Sequence, residues 1–335
     1  MNGTQKMRVL VTGATGLIGS HLVERLLNDK VEVIAMGRDE EKIKYVFGDK
    51  LKDACFSYTL GNIADKFPEE AGNVTCIFHA ASPISGQDIQ NFPVNTIEAN
   101  LSGTKNCLEY LVHQKNKYGR AGRLVVFSSA TVYGSSMDRD RTVCEADTDL
   151  ADSLQCGAAP YSESKRMIEV MVRAYGKQYG IDCVIARIGY VYGYTKLCPN
   201  TAFYEFLDKA VSGKDLAFRH TGMPRRDNIY IRDAVNGLIL LAMKGNTGEA
   251  YNISSGGERD NFKSIDEMVK IIADCVDLQL HQKVRLIFPE NAEIRKPGIM
   301  LDNHKLKTLG WSLETGIQEG ITETVRGYIA ARMGT

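Results

Sequence analysis

Lys6-Met-Arg-Val-Leu-Val-Thr12-Gly13-Ala-Thr-Gly16-Leu-Ile-Gly19 is the stretch on which the fold turns. Its β-rich run, Lys6 to Thr12, ends in glycines, and from Leu17 to Leu27 apolar residues recur at helical spacing. A strand, a glycine turn and a helix in that order let backbone approach a pyrophosphate at the helix N-terminus, where free N–H groups and the dipole favour anions. A plain glycine-rich turn is the competing explanation, and the flanking chain bears on it. Val31 to Met36, Cys76 to Ala80, Leu124 to Phe127 and Cys183 to Arg187 are strand-like, and Ile97 to Val112 and Tyr161 to Tyr179 are helical. Short apolar strands alternating with longer amphipathic helices imply βαβ units and a doubly wound parallel sheet. Ligands then sit outside the carboxyl ends of its strands.

Beyond about Gly193 the alternation loosens. Thr201 to Val211 and Ala234 to Met243 look helical, Asn228 to Ile231 and Ala250 to Ser254 strand-like, and Ser264-Ile-Asp-Glu267 is a capping box ahead of an apolar run. The expected architecture is α/β: a dinucleotide-binding domain over 1–190, to which 230–255 returns, and a smaller α/β C-terminal substrate lobe from 191–229 and 256–335. A length of 335 residues suits two joined domains.

Forty-one Lys+Arg balance forty-one Asp+Glu, which argues against a partner bound through phosphate neutralisation, so no nucleic acid is expected. The apolar run Leu238 to Met243 is far short of the roughly 20 residues a bilayer needs, and the run after Lys6 and Arg8 is too short for a secretory signal, so no membrane association is expected. Eight cysteines without a CxxC pair and six dispersed histidines without HExxH point to free thiols, no metal site and a cytoplasmic setting.

An NAD site usually carries an acid at the end of its second strand; here Met36-Gly37-Arg38-Asp39 stands there. A guanidinium beside a glycine suits a 2′-phosphate, which places NADP ahead of NAD, with Asp39 as the competitor for the ribose. Tyr161-Ser-Glu-Ser-Lys165 opens a helix after Pro160, so phenol and ammonium share one face. A free phenol, with pKa near ~10, is a poor base at neutral pH; a neighbouring Lys⁺ and an oxidised nicotinamide favour phenolate. Ser129, at the end of an upstream strand, is placed to hydrogen-bond the reacting oxygen. YxxxK alone is a common helical pair; its order after a glycine loop and a strand-end serine makes it specific.

Thr12-Gly-Ala-Thr-Gly-Leu-Ile-Gly19, Phe127-Ser-Ser-Ala-Thr-Val-Tyr-Gly134 and Tyr161-Ser-Glu-Ser-Lys165 together resemble the extended short-chain dehydrogenase/reductases of the nucleotide-sugar epimerase/dehydratase group, with a Rossmann-type sheet. The resemblance spans essentially the whole chain. It implies Tyr161 as base, Lys165 as its ribose-binding partner and Ser129 as the third member. It further implies Gly13, Gly16, Leu17 and Ile18 along the pyrophosphate, and Asn62, Ile63, Ala80, Ala81 and Asn100 around the cofactor. Ser82, Ser129, Thr131, Tyr190, Arg226, Arg295 and Lys296 are the implied substrate contacts, Arg226 as a grip on a nucleotide diphosphate. A surface Arg226 paired with Asp227 is the alternative. A homodimer through the helices carrying Asn100 and Tyr161 is also implied.

Four positions depart from the family pattern. Gly37-Arg38 replaces the NAD-selecting acid, Asn62 an aspartate facing the adenine, and Tyr190 an asparagine that holds substrate in 4-epimerases and decarboxylases. Ala130 and Thr131 stand where dehydratases carry an Asp-Glu pair and decarboxylases a Glu. Eliminating water needs an acid and a base that these side chains lack. The expected activity is therefore nucleotide-sugar 4-epimerisation through transient C4 oxidation. The runner-up is an NADP-dependent 4-keto-sugar reductase; a dehydratase or decarboxylase and a silent dinucleotide sensor rank lower.

Overall fold

The computed structural model describes residues 7–83, 85–134, 140–148, 151–218, 224–290 and 297–333. Lys6, Arg295 and Lys296 lie outside them. The chain begins β1 (Arg8–Thr12), α1 (Leu17–Asn28), β2 (Glu32–Gly37), α2 (Glu40–Phe47), β3 (Phe56–Leu60), β4 (Cys76–His79), α3 (Gly86–Asn91), α4 (Pro93–Tyr118) and β5 (Arg123–Ser129). It continues β6 (Arg141–Val143), α5 (Ala159–Tyr179), β7 (Cys183–Ile188), β8 (Tyr190–Tyr192), α6 (Ala202–Val211), β9 (Leu216–Ala217), β10 (Arg226–Tyr230), α7 (Ile231–Lys244) and β11 (Ala250–Ile253). The last elements are β12 (Phe262–Lys263), α8 (Ile265–Leu280), β13 (Leu286–Ile287), β14 (Ile299–Leu301), α9 (His304–Thr308) and α10 (Ile317–Met333).

Seven strands form one parallel sheet in the order β11-β7-β5-β4-β1-β2-β3. Its inner strands are largely apolar because both faces are covered. Val9, Val11, Val33 and Ala35 point into a core shared with α1, while Leu10, Ile34 and Ile77 point into one shared with α4 and α5. Period-two alternation along each strand thus feeds two cores rather than a core and solvent. Leu10, Ile77 and Leu124 are completely buried, each stabilising the fold by roughly 1.5–3 kcal/mol. The order reverses between β1 and β4, so the crevice for a ligand opens at their carboxyl ends.

A smaller mixed sheet runs β12-β10-β14-β6, with β8 added beside β10, and β9 and β13 form a separate pair. The Ser264–Glu267 capping box is present in full at the start of α8.

Several boundaries shift. The helix expected from Ile97 begins at Pro93, and α5 begins at Ala159, with Pro160 inside its first turn, where a missing N–H costs nothing. The strand expected over Asn228–Ile231 is Arg226–Tyr230, and Ile231 instead opens α7. β3, in the polar-looking run Phe56-Ser-Tyr-Thr-Leu60, escaped the apolar criterion because it is an edge strand with one buried residue.

Candidate active site

Gly13 adopts a φ of +63°, and a Cβ there would lie 2.8 Å from the Ala81 nitrogen; one on Gly19 would lie 2.2 Å from the Gly13 carbonyl oxygen. The loop is therefore drawn tightly against β4 and against the first turn of α1, at positions only glycine can fill. No side chain caps α1, so its first-turn N–H groups stay without a side-chain partner at the floor of a cavity of about 640 Å³. That is an anion cradle, and it fits a dinucleotide pyrophosphate.

Gly13, Gly16, Leu17, Ile18, Arg38, Asn62 and Ile63 line this cavity at one end; Ala80, Ala81, Ser82, Ser129, Tyr161 and Lys165 line it further along. Asn62 is partly engaged already, its Oδ1 accepting from Ala64 N at 3.2 Å. Asp39 does not line the cavity. It is the N-cap of α2, accepting from Lys42 N at 3.1 Å, which leaves Arg38 as the charged group at that end.

Three rungs tie α5 to the end of β5. Lys165 Nζ donates to the Phe127 carbonyl at 2.8 Å, and Ser128 Oγ donates to Glu169 Oε1 at 2.7 Å. The Tyr161 hydroxyl lies close enough to Ser129 and Ser82 for both to favour its phenolate. Residues 161, 165 and 169 follow at intervals of four on one helix face, matched to three consecutive strand residues. Arg187, the register partner of Ser128 on β7, closes the arrangement with Nε and Nη2 on the two Glu169 oxygens at 2.9 and 2.8 Å.

Lys165 is 4% exposed, its Nζ lies 5.6 Å from the Tyr161 ring centre, and burial depresses its pKa to about 7. Burial also raises the Tyr161 pKa, outweighing the Ser129 and Ser82 hydrogen bonds that lower it. The expected downward push on the phenol is thus overridden in the protein alone, because desolvation disfavours both charges at once. The Lys165 shift has a consequence for stability. The unfolded chain holds this proton up to about pH 10.5 and the folded chain only to about 7, so stability should rise with pH across that window. Lys165→Met is expected to be more stable than the unaltered, cofactor-free protein at pH 7 and to lose that slope. Urea unfolding at pH 7 and pH 9 reads both; equal slopes for the two proteins contradict it.

The remaining residues implied by the resemblance fall elsewhere. Asn100 is 1% exposed and lies behind the cavity wall, not on it. Its Oδ1 accepts from Ser82 Oγ at 2.7 Å and its Nδ2 donates to Ser164 Oγ at 2.8 Å, so it orients Ser82 and joins α4 to α5. Thr131 does not line the cavity, and its buried Oγ1 has no partner among the described residues. Tyr190 and Arg226 are also off the lining, stacked on each other with the guanidinium carbon 4.3 Å from the ring centre. The Arg226–Asp227 pair does not form, because Asp227 is fully buried and accepts from Ser255, Gly256 and Leu301. The sequence reading missed Glu169, Ser128 and Arg187. Its available signal was the third residue of the four-residue spacing on α5; Arg187 gave none, being one charge at the end of an apolar strand. Phe92, Asn95, Thr96 and Ala99, also lining, were missed because α4 starts earlier than its periodicity suggests.

A parallel sheet with its crevice at the reversal point, a glycine cradle under an uncapped helix and a buried Ser/Tyr/Lys cluster define a dinucleotide-binding α/β enzyme. The chain belongs to the NAD dependent epimerase/dehydratase family, whose pattern it matches over residues 9–254, and its cofactor is a nicotinamide dinucleotide. It is 29% identical over 322 residues to UDP-glucuronic acid decarboxylase 6 of Arabidopsis thaliana, covering 94% of this chain and 87% of that protein. It is 27% identical over 96% of its length to the trifunctional 4,6-dehydratase/3,5-epimerase/reductase RHM2 of the same plant, but spans only 47% of that longer protein. Among solved structures, DesIV, a dTDP-glucose 4,6-dehydratase from Streptomyces venezuelae with NAD bound, superposes with a TM-score of 0.79 at 25% identity, covering 98% of each chain. The UDP-glucose 4-epimerase of Thermotoga maritima gives a TM-score of 0.77 at 22% identity, covering 97% of this chain and 100% of its own. Among the described residues no helix is long and apolar enough to cross a membrane.

Proposed function

We propose that the protein is a nucleotide-sugar 4-epimerase. The observation that carries this reading is the composition of the cavity wall. Among its described residues Tyr161, Tyr204, Lys165 and Arg38 are the ionisable groups, with the Tyr204 hydroxyl committed to the Gly193 carbonyl at 2.7 Å, and none is Asp, Glu, His or Cys. Such a wall can move one hydroxyl proton, whereas eliminating water demands a further acid and base. Ala130 and Thr131, which stand off this lining, carry no carboxylate either.

In this reading a sugar lies with its C4 hydroxyl between Tyr161 and Ser129. When bound, the nicotinamide supplies the hydride acceptor and donor for C4 and, in its oxidised form, a positive ring beside the phenol. Tyr161 takes the hydroxyl proton on its own oxygen and later returns it. Ser129, beside that phenol, holds the reacting oxygen, and Ser82, fixed by Asn100, also lies near the phenol. Lys165, anchored on the Phe127 carbonyl, reaches the cofactor ribose. The sugar turns over between the two half-reactions.

The direct test is to denature freshly purified protein and weigh the released dinucleotide. Stoichiometric oxidised cofactor supports internal recycling; an empty protein that binds and consumes added NADPH overturns it in favour of the 4-keto-sugar reductase. One observation favours that second reading, namely that Asp39 is committed to α2 while Arg38 lines the cavity. Arg38→Ala is accordingly expected to weaken NADP by at least ~10-fold and NAD by far less, since a guanidinium–phosphate contact is charge-assisted; equal losses would remove the NADP preference. Val94, Ile97, Met167 and Val170 leave an exposed apolar strip on α4 and α5, which supports pairing of two copies there. A monomeric mass in solution would exclude it.

A further inference from the structure

Arg225 and Arg226 are neighbours with opposite fates. Arg225 is neutralised by Glu267, with Nε and Nη2 on the two carboxylate oxygens at 3.1 and 2.8 Å. Among the described residues Arg226 has no carboxylate partner, and the acid next to it, Asp227, is buried and saturated by backbone and hydroxyl donors. What Arg226 has instead is the ring of Tyr190, 4.3 Å from its guanidinium carbon.

Strand register brings the two together. Tyr190 on β8 lies opposite Asn228 on β10, so Arg226, two residues earlier, shares its face as a diagonal neighbour. A guanidinium held over a ring is bound without a carboxylate, and among the described residues no acceptor takes the N–H donors of Arg226. A carboxylate would have consumed those donors, whereas the ring orients them and leaves them available. Their fork then matches the oxygens of a phosphate. The position is also apt. Gly189 and Val191, on either side of Tyr190, line the cavity, and the Tyr190 phenol is close enough to Tyr161 to interact with it electrostatically. Tyr161, Tyr190 and Arg226 are thus successive neighbours. Tyr190 is 43% exposed, so this ring is not held in place to fill a core.

We propose that Tyr190 is a positioning residue for Arg226, holding the guanidinium flat so that its N–H edge meets the diphosphate of a substrate whose sugar reaches Tyr161. The inference rests on the nucleotide-sugar reading above. It assigns to this chain a ring where the resembling 4-epimerases and decarboxylases carry a substrate-holding asparagine.

Titration calorimetry with UDP and with dTDP on the full chain tests it. Arg226→Ala should weaken the nucleoside diphosphate by at least ~10-fold, as expected for a charge-assisted bidentate contact. Tyr190→Leu should weaken it by roughly 3–10-fold, within the range of a cation–π contact, and Tyr190→Phe should restore the affinity because the ring is kept. In the Arg226→Ala background Tyr190→Leu should cost nothing further, which a merely structural role would not produce. Unfolding midpoints of all variants identify any that fail to fold, and the cycle is then read with Tyr190→Val. Additive losses in the double variant, no loss in Tyr190→Leu, no loss in Arg226→Ala, or equal losses in Tyr190→Leu and Tyr190→Phe each overturn the positioning role while leaving the nucleotide-sugar reading intact. If the unaltered protein binds neither diphosphate, the nucleotide-sugar reading itself falls and takes this inference with it.

Discussion

Tyr161→Phe is expected to lower kcat by roughly 10²–10⁴-fold, the usual span for loss of a general acid–base, while cofactor affinity changes little. The substitution removes one oxygen and keeps the ring that packs beside Lys165. Its hydrogen-bond partners are not stranded: Ser82 retains Asn100, and Ser129 retains the Thr131 N–H at 3.2 Å. The fold therefore has no reason to change. The phenol is neutral in the folded and the unfolded chain near pH 7, so its raised pKa adds no stability term there and the unfolding midpoint should change little. Turnover is measured with a sugar nucleotide that the unaltered protein converts, and binding by the fluorescence of reduced cofactor. Unchanged turnover would remove Tyr161 from the chemistry, and loss of cofactor binding would make it a ligand instead.

The largest stability effect is expected at Glu169. Its side chain is 5% exposed and that of Arg187 4%, and the pair carries two direct bonds, with Ser128 donating a third. Burial alone would push the Glu169 carboxyl up, but the Arg187 guanidinium and the Ser128 hydroxyl outweigh it and hold the pKa below its ordinary value. Glu169→Leu strands Arg187 in the interior with only the Tyr133 hydroxyl and the Glu145 carbonyl as acceptors, each at 3.0 Å. Breaking one partner from a buried pair costs about 3–5 kcal/mol, a large part of a typical domain's stability. Glu169→Gln keeps acceptor and donor geometry and should cost less. Urea unfolding reads the difference; a loss under about 1 kcal/mol would mean that the pair does not hold α5 to β5. The same carboxylate adds stability above its unfolded pKa and loses it as pH falls through the carboxylate range, so Glu169→Leu should also flatten the acid limb of the stability curve.

Much of this was legible from residue order because the signals are local. The glycine turn after Val9-Leu-Val11, the four-residue step from Tyr161 to Lys165 and the Ser264–Glu267 cap each depend on neighbours within one or two turns of chain. Sheet order, by contrast, was not legible: the alternation implied a doubly wound parallel sheet without fixing which strands are neighbours, and edge strand β3, half polar, fell outside it. Boundaries moved wherever proline or a polar residue began a helix whose apolar period started later, as at Pro93.

The chain's own order of residues thus determined the class of fold, the glycine cradle and the presence of a serine, a tyrosine and a lysine suited to one proton transfer. Only the tertiary structure decided which neighbours those groups have. Asp39 could face a ribose or cap α2, and the geometry of the β2–α2 turn chose the cap. Asn100 could line the cavity or stand behind it, and the rotation of α4 put it behind. Arg226 could pair with Asp227 or leave it, and the register of β8 on β10 gave it Tyr190. Arg187 meets Glu169 because β7 lies beside β5 with Ser128 as its partner. Periodicity along a chain records which face a residue takes, but contacts between distant residues are set by how strands align and helices rotate once both cores are filled.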